Sequence, residues 1–307
     1  MSKLVFRDKL SALKDAAGLK GKLSFMVPMS RYTTMRVGGA ALAMYQPESL
    51  KDIIDFLRAC EEKGIPLMPI GCGSNIIASD AGTKKVLIKL SAPFFRRIEV
   101  CKEEVNCGSG VLLAELCSAA EKRSLGACEF LAGIPGTVGG AVFQNAGAHG
   151  RSMSDIIKDV KVVDAQGCVS ILRRNTIDFS YRRSGLNGLI IVGATLALKK
   201  RAKKSIINDI SRYMERRLTT QDYTAPSAGC IFKNPAASSL TAAQLIEGCG
   251  LKGRRVGGAS VSKKHANFII NNGNARARDV LRLIGIIKKR VNAAYGVELK
   301  EEVEIIE

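Results

Sequence analysis

Gly133-Ile134-Pro135-Gly136-Thr137-Val138-Gly139-Gly140-Ala141 carries almost no side-chain bulk, and Gln144-Asn145-Ala146-Gly147-Ala148 follows at once. So bare a stretch lets backbone approach a ligand closely, because few Cβ atoms stand in the way. A second small-residue turn, Gly71-Cys72-Gly73-Ser74-Asn75-Ile76, follows an apolar run at 65–70. It opens like a dinucleotide fingerprint, but its sixth position is Ile76 rather than glycine. Gly108-Ser109-Gly110 fails the same test at Leu113, and no Gly-x-x-x-x-Gly-Lys-Ser/Thr occurs. The chain is therefore neither a Rossmann dinucleotide binder nor a P-loop protein. What remains are strand-to-turn junctions whose N–H groups are free to face an anion. Val-Gly-Gly-Ala recurs at 37–40 and 256–259. Three such stretches predict a large planar or pyrophosphate-bearing ligand.

Composition narrows the classes around that ligand. The chain has 307 residues, 47 Lys+Arg against 28 Asp+Glu, and a formal charge of +19. A chain of this size buries roughly 75% of its extended surface and needs no covalent staples. His149 and His265 are its only histidines, which excludes a multi-histidine metal site. Nine cysteines without a Cys-x-x-Cys pair argue against a zinc ribbon or a disulfide framework. They read as reduced thiols of a cytoplasmic protein. Charges near the start oppose a signal peptide, and no apolar run approaches the roughly 20 residues of a membrane span. The positive excess favours anionic partners: nucleic acid, a phosphate-bearing cofactor or an acidic membrane surface.

Periodicity predicts an amphipathic helix over 4–22 and another over 49–63, capped by Ser49 and stopped by Gly64. Strands are expected at 65–70, 84–90 and 95–100, and a helix at 112–123. A β-hairpin is expected over 158–164 and 168–172 around Gln166-Gly167. A long apolar strand at 189–199 precedes a charged helix at 205–217, taken as the start of a second unit. There, helices are expected at 240–247 and Ala277–Tyr295, with strands at 266–271 and 297–306. Interleaved strands and helices favour an α+β or α/β architecture.

Five motifs occur in order: Gly71-x-Gly73-Ser74-Asn75, the segment 133–148, Tyr181-Arg182-x-Ser184, Ser227-Ala228-Gly229-x-x-Phe232-Lys233-Asn234-Pro235, and Lys264-His265-Ala266-Asn267-Phe268. Together they resemble the UDP-N-acetylenolpyruvoylglucosamine reductase (UDP-N-acetylmuramate dehydrogenase) family of peptidoglycan precursor synthesis, from about Thr34 to the last strand. The resemblance implies an α+β fold: a two-subdomain FAD-binding unit of the vanillyl-alcohol-oxidase (PCMH) type, followed by a smaller α+β substrate-binding domain. We place the first at 1–200, with subdomains at about 1–90 and 91–200, and the second at 201–307. FAD is bound non-covalently in this family, so His149 is not expected to carry it. Gly71, Gly73, Ser74 and Asn75 would cradle its pyrophosphate. Gly133, Gly136, Thr137, Gly139, Gly140, Asn145, Ala146 and Gly147 would supply further contacts.

The implied reaction takes a hydride from NADPH to FAD, then from flavin N5 to C3 of the enolpyruvyl group of UDP-N-acetylglucosamine enolpyruvate. Negative charge then develops on C2 and its carboxylate, which calls for a cation and a positioned acid. Arg182 fits the first role, since a guanidinium binds a carboxylate through two parallel hydrogen bonds. Glu302 matches the family's enolate-stabilising acid, while alternation along 297–306 turns its neighbour Glu301 toward the apolar face. Cys230 is a departure: most members have serine there as the acid that protonates C2. A thiol with a reference pKa of about 8.5 stays protonated at neutral pH and can donate. Tyr181 would flank Arg182, and Lys233, Asn234, Lys264 and more weakly His265 would meet the substrate. The chain matches the shorter family type, without the tyrosine-bearing loop and βαββ insertion of longer members. Two other readings remain open: a PCMH-type FAD oxidase acting on another substrate, and a basic nucleic-acid-binding protein. The latter would need more stacking aromatics than a chain with no Trp offers.

Overall fold

The structure, a computed structural model, describes residues 3–307; Met1, Ser2 and the side chains of Lys3, Leu4, Val5 and Lys9 lie outside the described residues. The chain forms two compact units. The first comprises the chain up to Met26 with Leu42–Cys72 and Lys85–Glu215; the second comprises Val27–Ala41, Gly73–Lys84 and Arg216–Glu307. The two units interleave along the chain. The cause lies at the glycine turn. The strand that follows it, Ile76–Ala78, pairs in parallel with Glu304–Ile306 at the far end of the chain.

In the first unit, an antiparallel sheet has the order Val169–Arg173, Ile157–Val163, Ile190–Ala197, Glu104–Gly108, Ile98–Cys101. Its middle strand, Ile190–Ala197, is buried along most of its length, as its continuous apolar run requires. The hairpin forms as expected, closing at Val163 opposite Val169, with Gly167 at φ +74°. Helix Leu113–Lys122 buries Leu113, Leu116, Cys117 and Ala120 in the same core as Val105, Val160 and Leu196.

A second sheet runs Lys22–Pro28, Ala40–Gln46, Thr83–Ile88, Leu67–Pro69. The N-terminal helix is shorter than periodicity predicts: it ends at Ala16, Gly18 turns the chain at φ +59°, and a strand begins at Lys22. Helix Leu50–Glu62 is capped by Ser49 Oγ, which accepts from the Asp52 amide at 3.2 Å. Buried Tyr45 stacks on Phe56 at 4.0 Å and donates to Asp52 at 2.6 Å. Burial, then the Asp52 carboxylate, pushes the Tyr45 phenol well above its ordinary pKa.

The second unit holds an antiparallel sheet in the order Ser227–Cys230, Phe268–Asn271, Ala259–Val261, Arg255–Val256. Helix Ala277–Tyr295 buries Val280, Leu283, Ile284, Ile287 and Val291, the i, i+3, i+4 spacing of one face. Gly296 ends it in the left-handed conformation. The expected strand at 297–306 shrinks to Glu304–Ile306. Leu299 and Val303 are buried, but Ile305 is 38% exposed and Ile306 is buried, so the alternation slips. The reason is a change of partner. Lys300 and Glu302 bond to Lys233 and Ile231, whereas from Glu304 onward the chain pairs with Asn75–Ala78.

Asp80, just past that parallel strand, caps the long helix from nearly 200 residues away. Its two carboxylate oxygens accept from the amides of Ala277 and Arg278 at 2.9 and 3.0 Å. Asp80→Ala is expected to lower stability by about 0.5–2 kcal/mol in urea titration, with Asp80→Asn losing less.

Candidate active site

The bare stretches divide into two kinds once the space around each glycine is known. A Cβ on Gly38 or Gly39 would lie 2.6 Å from Ala78 Cβ or 2.3 Å from the Asp80 carbonyl oxygen. A Cβ on Gly257 or Gly258 would lie 2.5 Å from Asp279 or 2.4 Å from the Ala275 nitrogen. The Val-Gly-Gly-Ala repeats at 37–40 and 256–259 are therefore close-packing devices, which corrects their reading as ligand contacts. The 133–141 stretch differs. Gly136 and Gly140 meet nothing nearer than Leu113 at 3.6 Å and Thr137 Oγ1 at 3.5 Å. Gly139, by contrast, packs on Ser109, and Gly147 on the Arg151 carbonyl.

Two loops of the first unit abut: a Cβ on Gly71 would sit 2.7 Å from Thr137 Oγ1. Among the described residues, the amides of Gly71, Cys72, Gly133, Gly136 and Thr137 donate to no backbone carbonyl. In the second unit the same holds for Gly73 and Asn75, and Gly73 at φ +63° lies so near the Tyr32 carbonyl that no Cβ fits. Lys89 Nζ donates to the Gly71 carbonyl at 2.8 Å. Burial pushes the Lys89 ammonium below its ordinary pKa, with the neighbouring Cys72 opposing. Burial likewise raises the Cys72 thiol. The buried Ser109 hydroxyl, beside Gly139, has no partner among the described residues. Unpaired amides, a lysine and a bare cradle suit a pyrophosphate-bearing cofactor such as FAD. Lys89 carried no sequence signal beyond its type, and Ser109 only its place in the Gly108-Ser109-Gly110 turn.

Arg182 stands in the first unit on a tight turn, where Ser180 and Arg183 exchange backbone bonds at 2.9 and 3.2 Å. Its own φ is +58°, a conformation rare for a residue with a Cβ and often found at functional sites. Nη1 donates to the Gly147 carbonyl at 2.9 Å, and the guanidinium lies 5.5 Å from the centre of the Tyr181 ring. Tyr181 itself is 56% exposed. Asn145, expected to touch cofactor, instead directs its amide to protein: Nδ2 donates to Ser180 at 2.9 Å and Oδ1 accepts from Ser154 at 3.0 Å. Ala146 is half-buried between these anchors, its carbonyl accepting from Met153.

The second unit brings Cys230, Asn75 and Glu302 into one framework. Gly229, at φ +74° with open space around it, breaks the pairing register between Ser227 and Cys230 and sets the direction of the half-buried cysteine. The next carbonyl, of Ile231, accepts from the Glu302 amide at 2.8 Å. Asn75 Nδ2 donates to the Glu302 carbonyl at 3.0 Å, and the Asn75 carbonyl accepts from Glu304. Ser74, half-buried, precedes it. Glu301 does not face an apolar layer: its carboxylate pairs with Lys288 at 2.9 Å. That ion pair occupies Glu301 and separates its role from that of Glu302. Asn267, which sequence reasoning did not single out for a role of its own, clasps Phe232 at both ends, with bonds of 2.9 and 2.8 Å.

Lys233 is half-buried, and its amide bonds to the Lys300 carbonyl. Asn234 is exposed, and its side-chain oxygen accepts from the Ala242 amide at the start of helix Ala242–Gly248. Lys264 is exposed with its ammonium on the Leu218 carbonyl. His265 sits edge-on to Phe268, and burial pushes its imidazole below the ordinary pKa. Among the described residues no helix is long and apolar enough to cross a membrane.

A family model described as the UDP-N-acetylenolpyruvoylglucosamine reductase C-terminal domain matches residues 221–306, and one described as FAD binding domain matches 23–173. The UDP-N-acetylenolpyruvoylglucosamine reductase of Bacillus subtilis is 38% identical over 289 residues, spanning 93% of this chain and 94% of its own. That of Syntrophomonas wolfei is 40% identical over 281 residues, spanning 91% and 93%. The crystal structure of the Thermus caldophilus enzyme matches with a TM-score of 0.79 at 33% identity, covering 94% of this chain and 100% of that one. The fold is thus α+β, a two-subdomain FAD-binding unit followed by a smaller α+β domain, as the motifs implied. By identity, coverage and both family models, this chain belongs to the UDP-N-acetylenolpyruvoylglucosamine reductase family.

Proposed function

We propose that the chain catalyses the NADPH-dependent reduction of UDP-N-acetylglucosamine enolpyruvate to UDP-N-acetylmuramate. The observation that carries the chemistry is the short backbone link in the second unit. The Glu302 amide bonds to Ile231, the neighbour of Cys230, so a thiol and a carboxylate are delivered by one rigid framework. Neither the oxidase nor the nucleic-acid reading accounts for the match over 221–306.

FAD, when bound, supplies hydride transfer through its N5. The amides of Gly71, Cys72, Gly73 and Asn75, with those of Gly133, Gly136 and Thr137, would hold its phosphates, and Ser109 would donate or accept beside them. Gly136 and Gly140 leave the room. Arg182 would bind the substrate carboxylate, and its cation would offset the negative charge that develops there. Cys230 would pass its Sγ proton to C2, the thiolate being reprotonated from solvent. Glu302, as a protonated carboxyl, would donate a hydrogen bond to the enolate-like centre from its side. Lys233 is the nearest of the substrate candidates in sequence to this pair, with Tyr181, Asn234 and Lys264 as further contacts.

In single-turnover work, Cys230→Ala is expected to leave flavin reduction by NADPH within a few-fold of wild type. Reoxidation by the enolpyruvyl substrate should slow roughly 10²- to 10⁴-fold, with Cys230→Ser restoring most of it. Unchanged reoxidation would remove Cys230 from the acid role. Gly140→Ala should keep flavin, whereas Gly140→Phe should purify folded but with little flavin absorbance, because the larger side chain fills the cradle.

A further inference from the structure

We infer that Asn145 is a positioning residue, fixing Arg182 through the turn that carries it, and not a cofactor ligand. The inference rests on the role proposed for Arg182. Asn145 is 6% exposed and has φ +42°, a left-handed conformation that asparagine tolerates better than most residues. Both ends of its side-chain amide are engaged. Nδ2 reaches the Ser180 carbonyl at 2.9 Å, and Oδ1 receives the Ser154 amide at 3.0 Å. The Ser180 carbonyl also accepts from Arg183, so two donors hold the oxygen that closes the Arg182 turn. Two residues beyond Asn145, the Gly147 carbonyl holds Arg182 Nη1 at 2.9 Å. A single three-residue segment therefore grips Arg182 at both ends, backbone through Asn145 and guanidinium through Gly147.

The need for such a grip follows from the backbone. Arg182 at φ +58° sits in a region that strains a Cβ-bearing residue and persists only where surroundings enforce it. An aspartate at 145 keeps the acceptor for Ser154 and the tolerance of positive φ. It loses the donor to Ser180 and sets a carboxylate against that carbonyl. The Arg182 turn would relax, and a small displacement of a charge-stabilising group is costly in rate.

The test is a double-mutant cycle on flavin-loaded holoenzyme, read as single-turnover reoxidation by the enolpyruvyl substrate and, separately, by ferricyanide. Asn145→Asp should slow substrate-driven reoxidation about 10- to 100-fold and leave ferricyanide reoxidation near wild type. In the Arg182→Ala background the same substitution should add less than about threefold, since residues that act through one group are not additive. Asn145→Gly, which keeps the backbone conformation without the amide, should behave likewise and serves if the aspartate variant does not fold. Equal losses in both backgrounds, or equal slowing with ferricyanide, would overturn the inference. If Arg182→Ala alone reoxidised like wild type, the proposed role of Arg182 would fall, and this assignment with it.

Discussion

The pair of bonds that Asn75 makes to the far end of the chain, Nδ2 to Glu302 and carbonyl to the Glu304 amide, governs how the second unit is assembled. They start the parallel pairing of Ile76–Ala78 with Glu304–Ile306. Through that pairing, the segment after a glycine turn becomes part of the C-terminal core, where Ile77 is fully buried beside Val280 and Leu283. Asp80 then reaches the helix N-terminus, and Gly38 and Gly39 close against Ala78 and Asp80. A separate bond, from the Glu302 amide to the Ile231 carbonyl, sets that backbone beside the residue that follows Cys230.

A common device recurs at each side chain proposed to act in the reaction. Arg182 and Glu302 lie on backbone that regular secondary structure does not hold, a left-handed turn and a strand junction, and Cys230 ends a strand just past a register break. A side-chain amide fastens each neighbourhood: Asn145 at Ser180, Asn267 at Phe232, Asn75 at Glu302. Asparagine suits the task because it offers a donor and an acceptor from a short, stiff stem, matching the main chain's own groups. Buried backbone that has left a ladder must still pair its polar atoms. These amides restore that pairing and fix direction as well.

Elements with local punctuation were legible in the sequence. The helix behind Ser49, the hairpin at Gln166-Gly167 and the helix Ala277–Tyr295 each carry their own cap, turn or apolar stripe, and they stand where expected. The final strand was not, because the slip between Val303 and Ile305 comes from a change of partner that no local pattern encodes. Glu301 was misplaced for a different reason: its Lys288 partner lies on a helix outside the alternation. Glycine was the least faithful guide: a residue without a Cβ serves equally for a ligand and for another strand. The structure separates Gly136 and Gly140, open to an occupant, from the crowded Gly39 and Gly258. The side-chain partners of the motif asparagines were hidden for a similar reason, lying 35 residues away for Asn145 and 227 for Asn75.

The most direct test of the account is the position of solvent hydrogen in the product. Reduction of the enolpyruvyl sugar nucleotide by unlabelled NADPH, run without oxygen in deuterium oxide, should give deuterium at C2 of the new lactyl ether. C3 should gain NADPH-derived hydrogen to the extent that turnover outpaces solvent exchange at the reduced flavin N5. Deuterium at C3 with protium at C2, or no anaerobic turnover of this substrate, would contradict it.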